Sequence, residues 1–176
     1  EGYAHWRRLA EGCSACDYTF HIGVTRFDDE TEAVLRDVVA DGMTSFKVFL
    51  AYEGFFGVTD DELYSTLKLA KELGVVVTAH CENSGLIAAM QRSLLAEGKT
   101  GPEWHEPSRP DVVEAAGTAK FATFLEITGA KGYVVHLSVG VEQQLERLAR
   151  DRQRPLLNTP DRRARLEALA TERDPL

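Results

Sequence analysis

Cysteine is scarce in this sequence, with three among 176 residues, and an odd count supplies no disulfide framework. Basic charge is also short. Twenty Lys and Arg face 28 Asp and Glu, for a formal net charge of -8. That balance lacks the clustered cationic face that nucleic-acid phosphates require. No apolar run approaches the roughly 20 residues needed to cross a bilayer, so no membrane span is expected. The opening Glu1-Gly2-Tyr3-Ala4-His5-Trp6-Arg7-Arg8 has no apolar core of the kind that marks a signal peptide. These absences predict a protein of the reducing cytoplasm that binds neither nucleic acid nor membrane. No internal repeat and no low-complexity segment interrupts the chain.

What is present is globular: 44% of residues are hydrophobic and 27% charged, enough for one domain with a sizeable core. Apolar runs alternate with helical periods. Strands are predicted at residues 16–25, 45–50, 74–80 and 131–137. Helices are predicted at 28–41, 59–73, 83–97, 111–128 and 140–150, with a Pro-rich loop at 101–110. Thr59-Asp60-Asp61-Glu62 has the spacing of a capping box, and Gly74 suits the far end of the same helix. Such alternation implies right-handed βαβ units around a parallel sheet, an α/β fold.

Three of these apolar runs carry a polar residue within or at the end of a run. Lys47 lies in Ser45-Phe46-Lys47-Val48-Phe49, His80 ends Val75-Val76-Val77-Thr78-Ala79-His80, and His136 ends Tyr133-Val134-Val135-His136. Parallel strands are covered on both faces, so a polar residue there is costly without a partner. Neutral imidazole is a common metal ligand, and the carboxyl ends of parallel strands are where such folds place active sites. A protonated lysine repels a metal, but desolvation lowers its pKa, and a neutral amine can take up carbon dioxide. The resulting carbamate presents two oxygens that can bridge two divalent metals. Paired metals activate water and polarise a carbonyl together. The plainer alternative is a snorkelling lysine with two hydrogen-bonded core histidines.

Thr44-Ser45-Phe46-Lys47-Val48-Phe49-Leu50-Ala51-Tyr52 resembles the carboxylated-lysine strand of the dihydropyrimidinase and hydantoinase family, within the cyclic amidohydrolases. Val77-Thr78-Ala79-His80-Cys81-Glu82-Asn83 is similar to its next metal-ligand strand, where Ala usually stands at the position of Cys81. His105-Glu106-Pro107-Ser108-Arg109-Pro110 with Val113-Glu114-Ala115 resembles a loop and the following helix. Val134-Val135-His136-Leu137-Ser138 resembles the strand with a further histidine ligand. The resemblance also takes in residues 6–25 and runs in order to about Ala149.

The resemblance implies a partial (β/α)8 barrel of the metal-dependent hydrolase type, with about four parallel strands. Residues 1–150 would be the central part of that barrel, and 151–176 a helical segment displaced from a later part of it. Lys47 would be carbamylated and bridge two zinc ions, with His80 and His136 as ligands of the second zinc. Tyr52 would aim its hydroxyl at the substrate carbonyl. The implied reaction opens a dihydropyrimidine or hydantoin ring to an N-carbamoyl amino acid, and the family is usually tetrameric. The family's His-x-His pair and its Gly-Thr-Asp-His segment do not occur in this sequence, which therefore reads as an incomplete enzyme. The alternative is a non-catalytic dihydropyrimidinase-like scaffold used in assembly.

The remaining candidates have simpler readings. Cys13-x-x-Cys16 has no second pair and is read as structural or incidental. Cys81 should face away from His80 and pack, since adjacent strand residues alternate. His21 is read as a satisfied core histidine, and His5 and His105 as structural or solvated. Trp104 should anchor its loop. Residues 162–165 read as a solvated helix face.

Overall fold

The computed structural model describes residues 2–134. Four parallel strands form one sheet in the order β1-β2-β3-β4. They are β1 (Ile22–Gly23), β2 (Ser45–Phe49), β3 (Val76–His80) and β4 (Lys131–Tyr133). The helices are α1 (Gly2–Ala10), α2 (Asp29–Ala40), α3 (Asp60–Leu73), α4 (Ser84–Ala96) and α5 (Asp111–Thr128). The described residues fall into two compact units. Glu1–Ala89 with Val112–Val134 carries all four strands, and the other includes Met90–Asp111.

Strand alternation decides what lies under the helices. Phe46 is in register with Val77, and Val48 with Ala79. Phe46, Val48 and Val77 are fully buried among Leu35, Leu63, Leu67, Ala70 and Phe121. At ~25 cal/mol per Å² of apolar surface, each such side chain contributes ~1.5–3 kcal/mol. The period of two then places Lys47, Phe49, Thr78 and His80 together on the opposite face of the sheet.

Helix α3 begins and ends as its sequence requires. The Thr59 side chain accepts from the Glu62 N–H while the Glu62 carboxylate accepts from the Thr59 N–H, a complete capping box. Gly74 closes the helix at φ +73°, a left-handed conformation that costs a side chain-bearing residue ~1–2 kcal/mol. Asp28 caps α2 in the same manner, accepting from the Thr31 N–H at 2.7 Å.

Three elements differ from the sequence expectation. The first strand is two residues, not ten, because only Ile22 and Gly23 pair with β2, at Phe46 and Lys47. Helix α1 was not expected. It buries no residue, and it is tied to Asp41 by Tyr3 and Arg7. Pro102–Trp104 forms a short 3-10 turn inside the expected loop. The predicted helix at 111–128 coincides with α5. The later part of the fourth predicted strand, the helix at 140–150 and the segment 151–176 lie outside the described residues.

Candidate functional site

The open face of β2 and β3 carries two of the singled-out residues. Lys47 is half-buried, and its Nζ lies 5.1 Å from the centroid of the Phe49 ring. The His80 ring lies 5.8 Å from the same ring. One aromatic side chain therefore touches both the amine and the imidazole. Burial pushes the Lys47 amine below the ordinary lysine value, and the nearby Cys81 only partly opposes this. The shift is toward the neutral amine, which is the form that reacts with carbon dioxide.

Tyr52 follows β2 and joins the same cluster. Its ring stacks on His80 at 6.0 Å and 24°, and meets Phe56 at 4.8 Å. Its backbone sits at φ +64°, the one non-glycine residue with positive φ among the described residues. Such a conformation costs about 1–3 kcal/mol and persists only when its surroundings hold it. Here the carbonyl of Tyr52 accepts from the N–H groups of Phe55, Phe56 and Gly57, closing a tight loop.

His80 has a charged neighbour that the sequence reading passed over. Its Nε2 lies 2.6 Å from the Glu82 carboxylate, and the Glu82 side chain is only 13% exposed. Residues i and i+2 share a face only while a strand continues, and β3 ends at His80, so nothing in the pattern marked the contact.

The other candidates take quieter places. Cys81 is buried in the core, as its packing role requires, and burial pushes its thiol upward. His21 is exposed rather than buried, with its Nδ1 2.7 Å from Ser45 Oγ. It is satisfied, but it is not a core residue. Cys13 and Cys16 are exposed free thiols. His5 and His105 are exposed. Trp104 takes the Lys99 ammonium over its ring at 4.4 Å, which anchors the loop on its own unit. His136 lies outside the described residues.

A four-strand parallel arc with helices between its strands, and a desolvated lysine and a histidine on its open face, defines part of a (β/α)8 barrel of the hydrolase type. Comparison with known proteins makes the relationship specific. A D-hydantoinase (dihydropyrimidinase) structure from Thermus sp. matches at 63% identity and a TM-score of 0.74, over 85% of this chain and 33% of that one. The D-hydantoinase of Ralstonia pickettii is 40% identical over 157 residues, 88% of this chain and 33% of that protein. The dihydropyrimidinase of Rattus norvegicus is 36% identical over 138 residues, 78% of this chain and 27% of that protein. Over most of its length the chain is similar to dihydropyrimidinases and D-hydantoinases, which are metal-dependent amidohydrolases. It spans about a third of the length of these relatives. A family profile described as shikimate kinase also matches residues 107–176. That stretch is under half of the chain and shares only residues 107–134 with the described structure.

The family implies a bound metal, and the residues present can be tested against one. Among the described residues, no three His, Cys, Asp or Glu side chains come together as a ready metal cluster. The donors brought to one face are Lys47 and His80. An amine disfavoured as a cation and an imidazole beside it fit one side of such a centre.

Proposed function

We propose that this chain forms part of an enzyme that hydrolyses a cyclic amide, opening a dihydropyrimidine or hydantoin ring to an N-carbamoyl amino acid. The observation that carries the proposal is the desolvated Lys47 amine on the same sheet face as His80, with the Phe49 ring in contact with both. The 63% identity to a D-hydantoinase supports the substrate class.

Lys47, as its carbamate, would hold two zinc ions, with His80 and His136 holding the second. When bound, the metal pair supplies Lewis-acid polarisation of the ring carbonyl and lowers the pKa of water. The chain's own residues do the rest. Tyr52 presents a hydroxyl beside His80, where it donates to the oxygen that gains negative charge as the carbonyl becomes tetrahedral. Phe49 and Phe56 pack edge to face beside these rings, at 5.0 Å between centroids. Overall, the oxygen of water adds to the carbonyl, the ring C–N bond breaks, and the ring nitrogen takes the proton.

Residues 1–150 are proposed as the barrel portion and 151–176 as a separate helical segment. A cytoplasmic setting is proposed on the free thiols, and a homo-oligomer on resemblance to the family. The test is metal analysis together with ring-opening assays on hydantoin and dihydrouracil, using the longest natural polypeptide that contains this stretch. About two zinc ions per chain and ring opening are expected. A metal-free, inactive protein would favour the scaffold alternative.

A further inference from the structure

We propose that Glu82 is a positioning residue for His80: its carboxylate holds Nε2–H and leaves Nδ1 as the nitrogen available to a metal. The inference rests on the reading of His80 as a ligand and adds which atom ligates and what orients it.

The geometry carries it. The Nε2–Oε2 separation is 2.6 Å, short even for a charge-assisted hydrogen bond. An ionised carboxylate can only accept, so the proton lies on Nε2, and in the neutral imidazole the lone pair is then on Nδ1. Metal-ligating histidines characteristically donate their other ring N–H to such an acceptor, which fixes tautomer and ring orientation together. The ring also meets Phe49 at 5.8 Å and Tyr52 at 6.0 Å.

Glu82 is itself fixed by the fold rather than left on a loose loop. Gly117 of α5 packs against the Cys81–Glu82 peptide so closely that a Cβ there would lie 2.6 Å from the Cys81 carbonyl carbon and 2.7 Å from the Glu82 nitrogen. The next residue, Asn83, donates its N–H to the Val113 carbonyl at 3.1 Å. Helix α5 therefore clamps the backbone on both sides of Glu82, and a side chain at position 117 would push it away from His80.

The test is nitrogen-15 NMR of the histidine side chains in the full 176-residue chain, first metal-free and then titrated with zinc. The metal-free protein should show His80 with a slowly exchanging Nε2 proton and an unprotonated Nδ1. Glu82→Ala should lose the slow exchange and show mixed tautomers, while Glu82→Gln, whose amide oxygen still accepts, should keep it. Zinc should shift Nδ1 and bind roughly 10–100-fold more weakly to the Glu82→Ala variant. A protonated Nδ1, or slow exchange unchanged in Glu82→Ala, would overturn the proposal. So would a zinc-induced shift on Nε2. If zinc does not bind while the Nε2–H signature is present and responds to Glu82→Ala, the metal reading of the site fails and the Glu82–His80 assignment stands.

Discussion

Phe49 and His80 are register partners across β2 and β3, and their rings lie 5.8 Å apart. Partners in a parallel ladder project to the same face, so the aromatic ring fixes where the imidazole can stand. Lys47, two residues earlier on β2, reaches over the same ring. The amine and the imidazole thus both meet one ring, an arrangement set by strand register.

If Lys47 bridges the metals as a carbamate, Lys47→Ala should lower turnover by several orders of magnitude and reduce bound zinc in the metal-loaded active protein. Short carboxylic acids present the same pair of oxygens and should restore part of the activity. Lys47→Arg should not be rescued, because guanidinium stays charged and fills the space. Near-normal zinc content and turnover in Lys47→Ala would return Lys47 to a structural role.

Tyr52→Phe keeps the ring contacts to Phe56 and His80 and removes only the hydroxyl. Loss of a single oxyanion donor typically costs about 10²–10³ in kcat, and that loss is expected here. The denaturation midpoint should stay close to that of the parent protein. Equal losses of stability and kcat would mean that the hydroxyl serves the fold instead.

Phe46 is fully buried at the centre of the helix-facing core. Truncation to Ala should cost about 3–5 kcal/mol, read from urea or thermal unfolding. Lys47 is adjacent in sequence but on the other face. Lys47→Ala should therefore cost much less stability than Phe46→Ala, and the contrast tests the alternation directly.

Glu62 makes the α3 cap pH-sensitive. Burial alone would raise its pKa, but hydrogen bonds from the Thr59 N–H and hydroxyl and from the Phe27 N–H outweigh it and hold the carboxyl below its ordinary 4.5. A depressed folded-state pKa contributes stability that is present above the unfolded value and lost as pH falls through the folded one. Unfolding free energy should therefore decline as pH drops below 4.5, and Glu62→Gln should flatten that decline. Thr59→Ala should cost about 0.5–2 kcal/mol at neutral pH. An unchanged acid profile in Glu62→Gln would assign the acid sensitivity to other carboxylates, such as Asp28, whose pKa is lowered first by the Thr31 N–H.

Much of this was legible before any coordinates. The capping box at Thr59 and Glu62, the left-handed Gly74 and the helix at 111–128 all rest on local rules and appear where those rules put them. The grouping of Lys47 with His80 followed from two apolar runs read as parallel strands. Helix α1 was missed although Tyr3, Trp6 and Ala10 recur at helical spacing, because the segment is only nine residues and buries nothing. The first strand was overread, since an apolar run shows that a segment can pair but not how much of it finds a partner.

By itself, the sequence determined which residues alternate, where helices start and stop, and which strands carry an amine or an imidazole. Those are properties of one segment and its neighbours along the chain. Only the tertiary structure decided that Phe49 meets both Lys47 and His80, because that depends on the register of two strands about thirty residues apart. The tertiary structure also decided that Glu82 turns back onto His80. That contact exists because α5, a separate element, presses Gly117 against the peptide that carries Glu82, and close approach between distant segments leaves no mark on local sequence.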